Sequence, residues 1–182
     1  RYRLTAYGSD YLALKTLCKR GAIAAVGIQI GVGKESDIFT AVRPDGEEVA
    51  LKLHKLGRSF RTLRNNRDYT RPGQAFNWLY MSRLSALKEF AFMSALHEKG
   101  FSVPTPIDVN RHCVVMSLAH GYQLNSIQVL RHPSTVFNSL MVRAARQSQD
   151  VTTTSTVTLH MFMADSFLHL PWPPLPLLPV LY

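Results

Sequence analysis

The sequence has few of the features that would assign it to a disulfide-stabilised, zinc-binding or membrane-spanning class. Its two cysteines, Cys18 and Cys113, lie far apart with no CxxC and no matching histidine spacing, which argues against zinc and against a disulfide framework. A reduced setting is therefore expected. The chain begins at Arg1 and is expected to be a fragment, and no signal peptide opens it, although a segment missing before Arg1 could have carried one. The apolar stretch 159–181 contains five prolines and Asp165, which argues against a transmembrane helix.

Acidic residues are also scarce. Lys and Arg number 21 against 12 Asp and Glu, and the net charge of +9 favours acidic partners such as nucleic acid or a nucleotide, without choosing between them. The other proportions are ordinary, with 46% apolar and 18% charged residues in a chain of 182. Such a composition predicts one domain or one and a half with a buried core, not a disordered chain.

Local patterns in the first third of the chain predict a helix and an antiparallel meander. Residues 1–8 alternate as a strand does, and Ser9 is the predicted N-cap of a helix that stops at Gly21. Strands are expected at residues 23–30, 37–42 and 48–54, joined by the glycine-bearing turn 31–33 and the turn 44–46.

The rest of the chain predicts a basic loop, a long helix, two strands and a region of changed composition. Residues 55–74 carry five arginines and few apolar residues, whereas 76–99 have apolar residues at helical spacing before a stop at Gly100. Further strands are expected at 107–109 and 113–118, and short helices near 126–130 and 134–146. After Gln147 the chain turns threonine-rich and then proline- and leucine-rich, so Gln147 is predicted to end the well-specified part.

This order of elements is the plan of a protein kinase N-lobe. Glycines let the backbone approach a triphosphate, a strand lysine (Lys52) reaches the α- and β-phosphates, and a glutamate of the long helix (Glu89) holds that lysine. Taken singly, Lys52 is more simply a solvated strand residue, and Glu89 a helix-surface carboxylate. Their order and spacing together favour the kinase interpretation.

A P-loop NTPase is the nearest alternative, because Gly33-Lys34 resembles the end of a Walker motif. That motif requires a glycine five residues before its second glycine and a serine or threonine after the lysine. These positions hold Ile28 and Glu35, so the Walker interpretation fails at both.

Five segments together resemble the RIO-type atypical serine/threonine protein kinases, most closely the RIO kinase 2 subfamily. They are 31–38 (GVGKESDI), 50–58 (ALKLHKLGR), 78–91, 103–108 and 110–112. The resemblance implies an α+β fold, in which a kinase-like N-lobe at 22–119 has a five-stranded antiparallel sheet and a long helix. The implied neighbours are the end of a winged-helix domain at 1–21, the hinge and start of an otherwise missing C-lobe at 120–147, and a divergent tail at 148–182.

The resemblance also implies site residues. Lys52 and Glu89 would be the catalytic ion pair, Met93 would face the same pocket, and the Ser36 hydroxyl, where kinases commonly have a third glycine, would contact phosphate directly. Met116 corresponds to the back of the adenine site, and the hinge is Ser117-Leu118-Ala119, in which Ser117 replaces the usual glutamate. The implied ATP-binding residues are Gly31, Val32, Gly33, Lys34, Glu35, Ser36, Ile38, Ala50, Lys52, Met116, Ser117, Leu118 and Ala119.

The basic loop has two interpretations. It is either a solvated insert or a contact for pre-ribosomal RNA through Arg58, Arg61, Arg64 and Arg67, whose near-helical spacing suits phosphates. The resemblance implies the pre-40S ribosomal particle and pre-rRNA as partners, with no membrane and no zinc. The implied location is the cytoplasm, with shuttling through the nucleus. ATP is the implied cofactor, and Mg²⁺ is expected for the family although its ligands are missing here.

The sequence departs from the family where catalysis would begin. Members have a His-Gly-Asp-x-Asn-x-x-Asn type run whose aspartate and asparagine serve catalysis and metal binding. After the hinge the only aspartates are Asp150 and Asp165, followed five residues later by Ser155 and Leu170. The tail is expected to be translated intron or a shifted frame, with a lineage-specific ending as the alternative.

Three functional hypotheses follow. The first is the ATP-binding part of a serine/threonine kinase or ATPase that matures the small ribosomal subunit, inactive as this truncated chain. The second is a non-catalytic nucleotide- or RNA-binding module on pre-ribosomes. The third is a product that binds neither.

Overall fold

The computed structural model describes residues 2, 4–33, 35–55, 77–121, 127, 129 and 131–150, with backbone only at 143–150. The chain divides into two compact units, Arg1–Leu118 and Ala119–Tyr182. The elements of the first unit are α1 (Ala6–Lys19), β1 (Ala25–Val32), β2 (Ser36–Val42), β3 (Glu48–His54), α2 (Trp78–Glu98), β4 (Pro106–Asn110) and β5 (Cys113–Ser117). The second unit contains α3 (Pro133–Asp150).

Helix α1 starts earlier than its sequence predicts. Thr5 is the N-cap, and its side chain accepts a hydrogen bond from the Gly8 backbone N–H at 3.1 Å. The predicted strand at 1–8 is therefore wrong where the helix begins, and Ser9 is not the cap but lies one turn inside. Its hydroxyl donates instead to the Thr5 carbonyl at 3.3 Å. A short run of alternating residues could not outweigh a threonine able to satisfy free N–H groups at a helix start.

The five strands form one antiparallel sheet in the order β1-β2-β3-β5-β4, which confirms the predicted five-stranded sheet with a long helix. β3 has the predicted bounds, and β1 runs two residues beyond its predicted end because Gly31 and Val32 still pair with β2. The predicted basic loop lies outside the described residues except for Lys55.

The two faces of the sheet have different helical partners. Alternation along β3 and β5 directs Val49, Leu51 and Val115 to the face where Ala13 and Leu17 of α1 complete a core. The residues between them face the other way, where the core comprises Ala50, Val114 and Met116 of the sheet with Ala86 and Met93 of α2. The centre of the sheet, at β3 and β5, is thus buried on both sides, and a one-residue shift of β3 would exchange the two sets.

Cys113 lies in the core on the α1 side, and Cys18 is exposed, with no disulfide between them. Burial raises the pKa of the Cys113 thiol to about 12, and the negative charge of Asp10 adds to the rise. The thiol is therefore protonated at neutral pH.

In the second unit, α3 continues three residues past Gln147, and the predicted end of the well-specified part at that residue stays a prediction. The predicted helix at 126–130 lies largely outside the described residues, and neither Ile127 nor Val129, which are described, is helical. None of the helices in the described ranges is long and apolar enough to cross a membrane. The stretch 159–181 lies outside those ranges, and the winged-helix assignment of 1–21 stays a prediction.

The packing of α1 against the sheet can be tested at Leu17, which is fully buried. Leu17→Ala should lower the free energy of unfolding by about 3 kcal/mol, because it leaves a cavity between α1 and the sheet. Urea unfolding measures the change. Tyr11→Ala is the control, since Tyr11 is on the same helix and 73% exposed, and it should cost less than about 1 kcal/mol. Equal losses would contradict the packing.

Candidate nucleotide site

The centre of the site is an ion pair between the central strand and the long helix. Lys52 Nζ on β3 donates to Oε1 of Glu89 on α2 at 2.9 Å. The Lys52 and Glu89 side chains are only 5% and 9% exposed. The simpler interpretation of these residues as solvated surface charges is therefore wrong.

Local sequence explains why both side chains face inward. Lys52 alternates with Leu51 and Leu53, which face α1, so it lies on the opposite side of the sheet with Ala50. Glu89 belongs to the buried stripe of α2 that includes Ser85, Ala86 and Met93. The predicted pocket position of Met93 falls on this stripe, where it packs in the α2-side core.

A third side chain, His54, which the sequence analysis did not identify, also contacts Glu89. His54 Nε2 lies 3.1 Å from Glu89 Oε2, within ion-pair distance of the carboxylate. Burial would raise the pKa of Glu89, but attraction to Lys52, followed by hydrogen bonding to His54, outweighs this effect and lowers the pKa to about 2. Glu89 is thus ionised at neutral pH.

The glycine turn lies between β1 and β2, next to the end of β3. The Gly33 N–H donates to the Ser36 carbonyl at 2.8 Å and closes the turn. A Cβ on Gly33 would come within 3.0 Å of that same carbonyl oxygen, so a side chain there would crowd the turn. Ser36 is buried, and a direct phosphate contact from its hydroxyl stays a prediction. Val32 is exposed, and the predicted phosphate ligand Lys34 lies outside the described residues.

Lys55, which the sequence analysis also did not identify as a site residue, connects this turn to the end of β3. Its backbone N–H donates to the Glu35 carbonyl at 2.6 Å, and its ammonium lies 2.6 Å from Asp37 Oδ1. Together the two contacts hold both sides of Ser36. Only the strand register brings these charges together, because the residues are 18 apart in the chain.

The predicted adenine end is built on β3 and β5. Ala50 and Met116 are paired across these strands, and Ile38 and Leu118 pack against the same cluster. The Ser117 N–H donates to the Thr105 carbonyl, and the Ser117 hydroxyl accepts from the Thr105 N–H, both at 2.9 Å. An adenine contact by Ser117 would therefore use its carbonyl. Ala119 opens the second unit, and the nucleotide-binding roles stay predictions.

His112, in the β4–β5 turn, contacts the end of β3 and both helices. Its carbonyl accepts from the His54 N–H at 2.8 Å, and its Nε2 lies 2.7 Å from Oδ1 of Asp10 in α1. Its ring meets Trp78 of α2 edge-on, with centroids 5.8 Å apart. One buried residue thus connects the end of β3 with both helices.

The described ranges include no group of three or more His, Cys, Asp or Glu side chains that could hold a metal ion. The Mg²⁺ that the family resemblance implies therefore stays a prediction for this chain.

The environment of Glu89 predicts an acid dependence of stability. Because its pKa is about 2 in the folded chain against an ordinary 4.5, its ionised form stabilises the fold above about pH 4.5, and this contribution is lost as the pH falls toward 2. Urea unfolding between about pH 6 and about pH 3 should show a shallower loss of stability for Glu89→Gln than for the wild-type chain. Glu98→Gln removes the same charge from the exposed end of α2 and should keep the wild-type slope. Equal slopes for the wild type and Glu89→Gln would contradict the stabilised carboxylate.

Comparisons with known proteins bear on this geometry. A family model described as the RIO domain matches residues 37–154. The chain is 61% identical over 141 residues to the serine/threonine-protein kinase rio2 of Dictyostelium discoideum, covering 77% of this chain and 27% of that protein. It is 51% identical over 149 residues to rio2 of Schizosaccharomyces pombe, covering 80% and 43%.

A solved structure agrees with these relatives. The crystal structure of the Rio2 kinase-ADP/Mg²⁺-phosphoaspartate complex from Chaetomium thermophilum matches with a TM-score of 0.66 and 47% identity, covering 78% of this chain and 41% of that one. The chain therefore spans less than half the length of these relatives. Since the RIO domain model matches more than half of the chain and the cited relatives are Rio2 kinases, the chain belongs to the RIO kinase family, in its Rio2 subfamily.

Proposed function

We propose that this chain is the ATP-binding part of a Rio2-type serine/threonine protein kinase or ATPase. The observation that carries the proposal is the buried Lys52–Glu89 pair beside a glycine turn that a side chain at Gly33 would crowd. Relatives named as serine/threonine kinases, and a related structure that contains ADP and Mg²⁺, support the same ligand class.

In this proposal the described residues bind and orient the nucleotide. The Lys52 ammonium contacts the α- and β-phosphates, while Glu89 fixes its position. The glycine turn lets backbone N–H groups approach the phosphates, and Ala50 with Met116 forms an apolar surface for the adenine. Mg²⁺, when bound, would offset phosphate charge in such an enzyme. Because Asp150 and Asp165 lack the partnering asparagine, phosphoryl transfer is not assigned to this chain.

Nucleotide binding tests the proposal directly. The wild-type chain should bind ATP in isothermal titration, and Lys52→Ala should weaken binding about tenfold or more, because a charge-assisted contact to phosphate is lost. Lys15→Ala removes one positive charge from the exposed surface of α1 and should keep wild-type affinity. Absence of ATP binding, or equal binding by the wild type and Lys52→Ala, would contradict the proposal.

A second proposal concerns the role of the whole protein. We propose that it acts in maturation of the small ribosomal subunit, in the cytoplasm with passage through the nucleus, and binds pre-rRNA through the basic loop. The net charge of +9, the arginines of residues 55–74 and the resemblance to RIO kinase 2 support this role. If the chain binds RNA and no ATP, the non-catalytic module is the better description.

Salt dependence tests the RNA contact. If Arg58, Arg61 and Arg64 each meet a phosphate, replacing all three with glutamine should weaken RNA binding and reduce the slope of log affinity against log salt by about 3. Replacing Lys15, Lys19 and Arg131 with glutamine makes the same charge change elsewhere and should leave the slope nearer the wild-type value. Equal slopes for the two triple variants would show that the contact is not in the loop.

A further inference from the structure

The two carboxylate oxygens of Glu89 have different partners on the same strand. Oε1 accepts from Lys52 Nζ at 2.9 Å, and Oε2 lies 3.1 Å from His54 Nε2. Lys52 and His54 are two residues apart on β3, so both side chains project from the same face of the sheet. Glu89 reaches the strand between them.

Two contacts constrain a carboxylate more than one contact does. With Lys52 alone, the Glu89 carboxylate could turn about its terminal torsion while keeping one oxygen near the ammonium, because this torsion has a broad minimum. A second partner on the other oxygen sets the plane of the carboxylate. The direction in which Lys52 points then depends on where His54 stands.

His54 is itself held firmly enough to act as a reference point. Its side chain is 3% exposed, and its backbone N–H donates to the His112 carbonyl at 2.8 Å. On the opposite side of β3, His54 is paired in register with Ser36, which closes the glycine turn. The backbone that carries the buried imidazole is therefore fixed relative to the turn and to the neighbouring strand.

We infer that His54 is a positioning residue for the nucleotide phosphates, acting through Glu89 on the orientation of Lys52. The inference rests on the proposed ATP-binding function and adds to it a third member of the ion-pair arrangement. His54 has no direct contact with the nucleotide in this scheme. Its effect therefore falls on ligands that carry phosphates and not on adenosine.

Affinities for ATP and for adenosine distinguish this role from a general structural one. His54→Leu should weaken ATP binding about tenfold, as expected when a contact to a charged group is lost, and leave adenosine binding within about twofold. His54→Gln places a neutral donor near the Nε2 position and should restore most of the ATP affinity. His97→Leu, on the exposed end of α2, is the matched control and should bind both ligands as the wild type does.

A double-variant cycle tests whether His54 acts through Glu89. In the Glu89→Gln background, His54→Leu should weaken ATP binding by no more than about twofold further, because the group it positions is no longer a carboxylate. Unchanged ATP affinity in His54→Leu, parallel losses for ATP and adenosine, or fully additive effects with Glu89→Gln would each overturn the inference.

Failure of the proposed function is separable from failure of this inference. If the wild-type chain and Lys52→Ala both fail to bind ATP, the ATP-binding proposal fails. The same cycle measured by urea unfolding then decides about His54. A coupling between His54→Leu and Glu89→Gln supports the positioning contact, and additive losses of stability overturn it.

Discussion

The buried ion pair of Lys52 and Glu89 constrains how the sheet and α2 pack in the first unit. Two opposite charges have been taken out of water between the sheet and the helix. Removing charges from water costs several kcal/mol per ion, and an apolar pair of similar size would often be as stable. Such a pair persists only if strand and helix hold their relative positions closely. The apolar contacts of Ala50, Ala86 and Met93 around it supply that rigidity, and the depressed pKa of Glu89 shows that attraction outweighs desolvation for the carboxylate.

The sequence was most informative where a feature depends on near neighbours. Period-two alternation places Lys52 on the face opposite Leu51, and the helical period brings Glu89 onto the same buried stripe as Met93. The pairing of the two could be anticipated from their order in the chain alone. By contrast, the predicted start of α1 was wrong. The alternation of residues 1–8 indicated a strand, whereas Thr5 caps the helix.

The contacts of His112 and Lys55 could not be predicted from the sequence, because each joins residues that are distant in the chain and are brought together only by the tertiary structure. His112 and Asp10 are 102 residues apart in the chain, and their contact exists only because α1 packs beside the β4–β5 turn. The contact between Lys55 and Asp37 requires the register of β2 with β3. Histidines and lysines in strands carry no local signal for such roles. For these contacts the sequence predicted only the strand β3 and not the partners of its side chains.

The contrast between the two thiols has a practical side. Cys113 lies fully enclosed against α1 and keeps its proton, so it is a poor nucleophile, while Cys18 stands on the outer surface of that same helix. These are the only cysteines in the chain. A maleimide dye added to the native protein would consequently attach only at Cys18. Helix α1 can therefore be labelled specifically for fluorescence or spin-label spectroscopy.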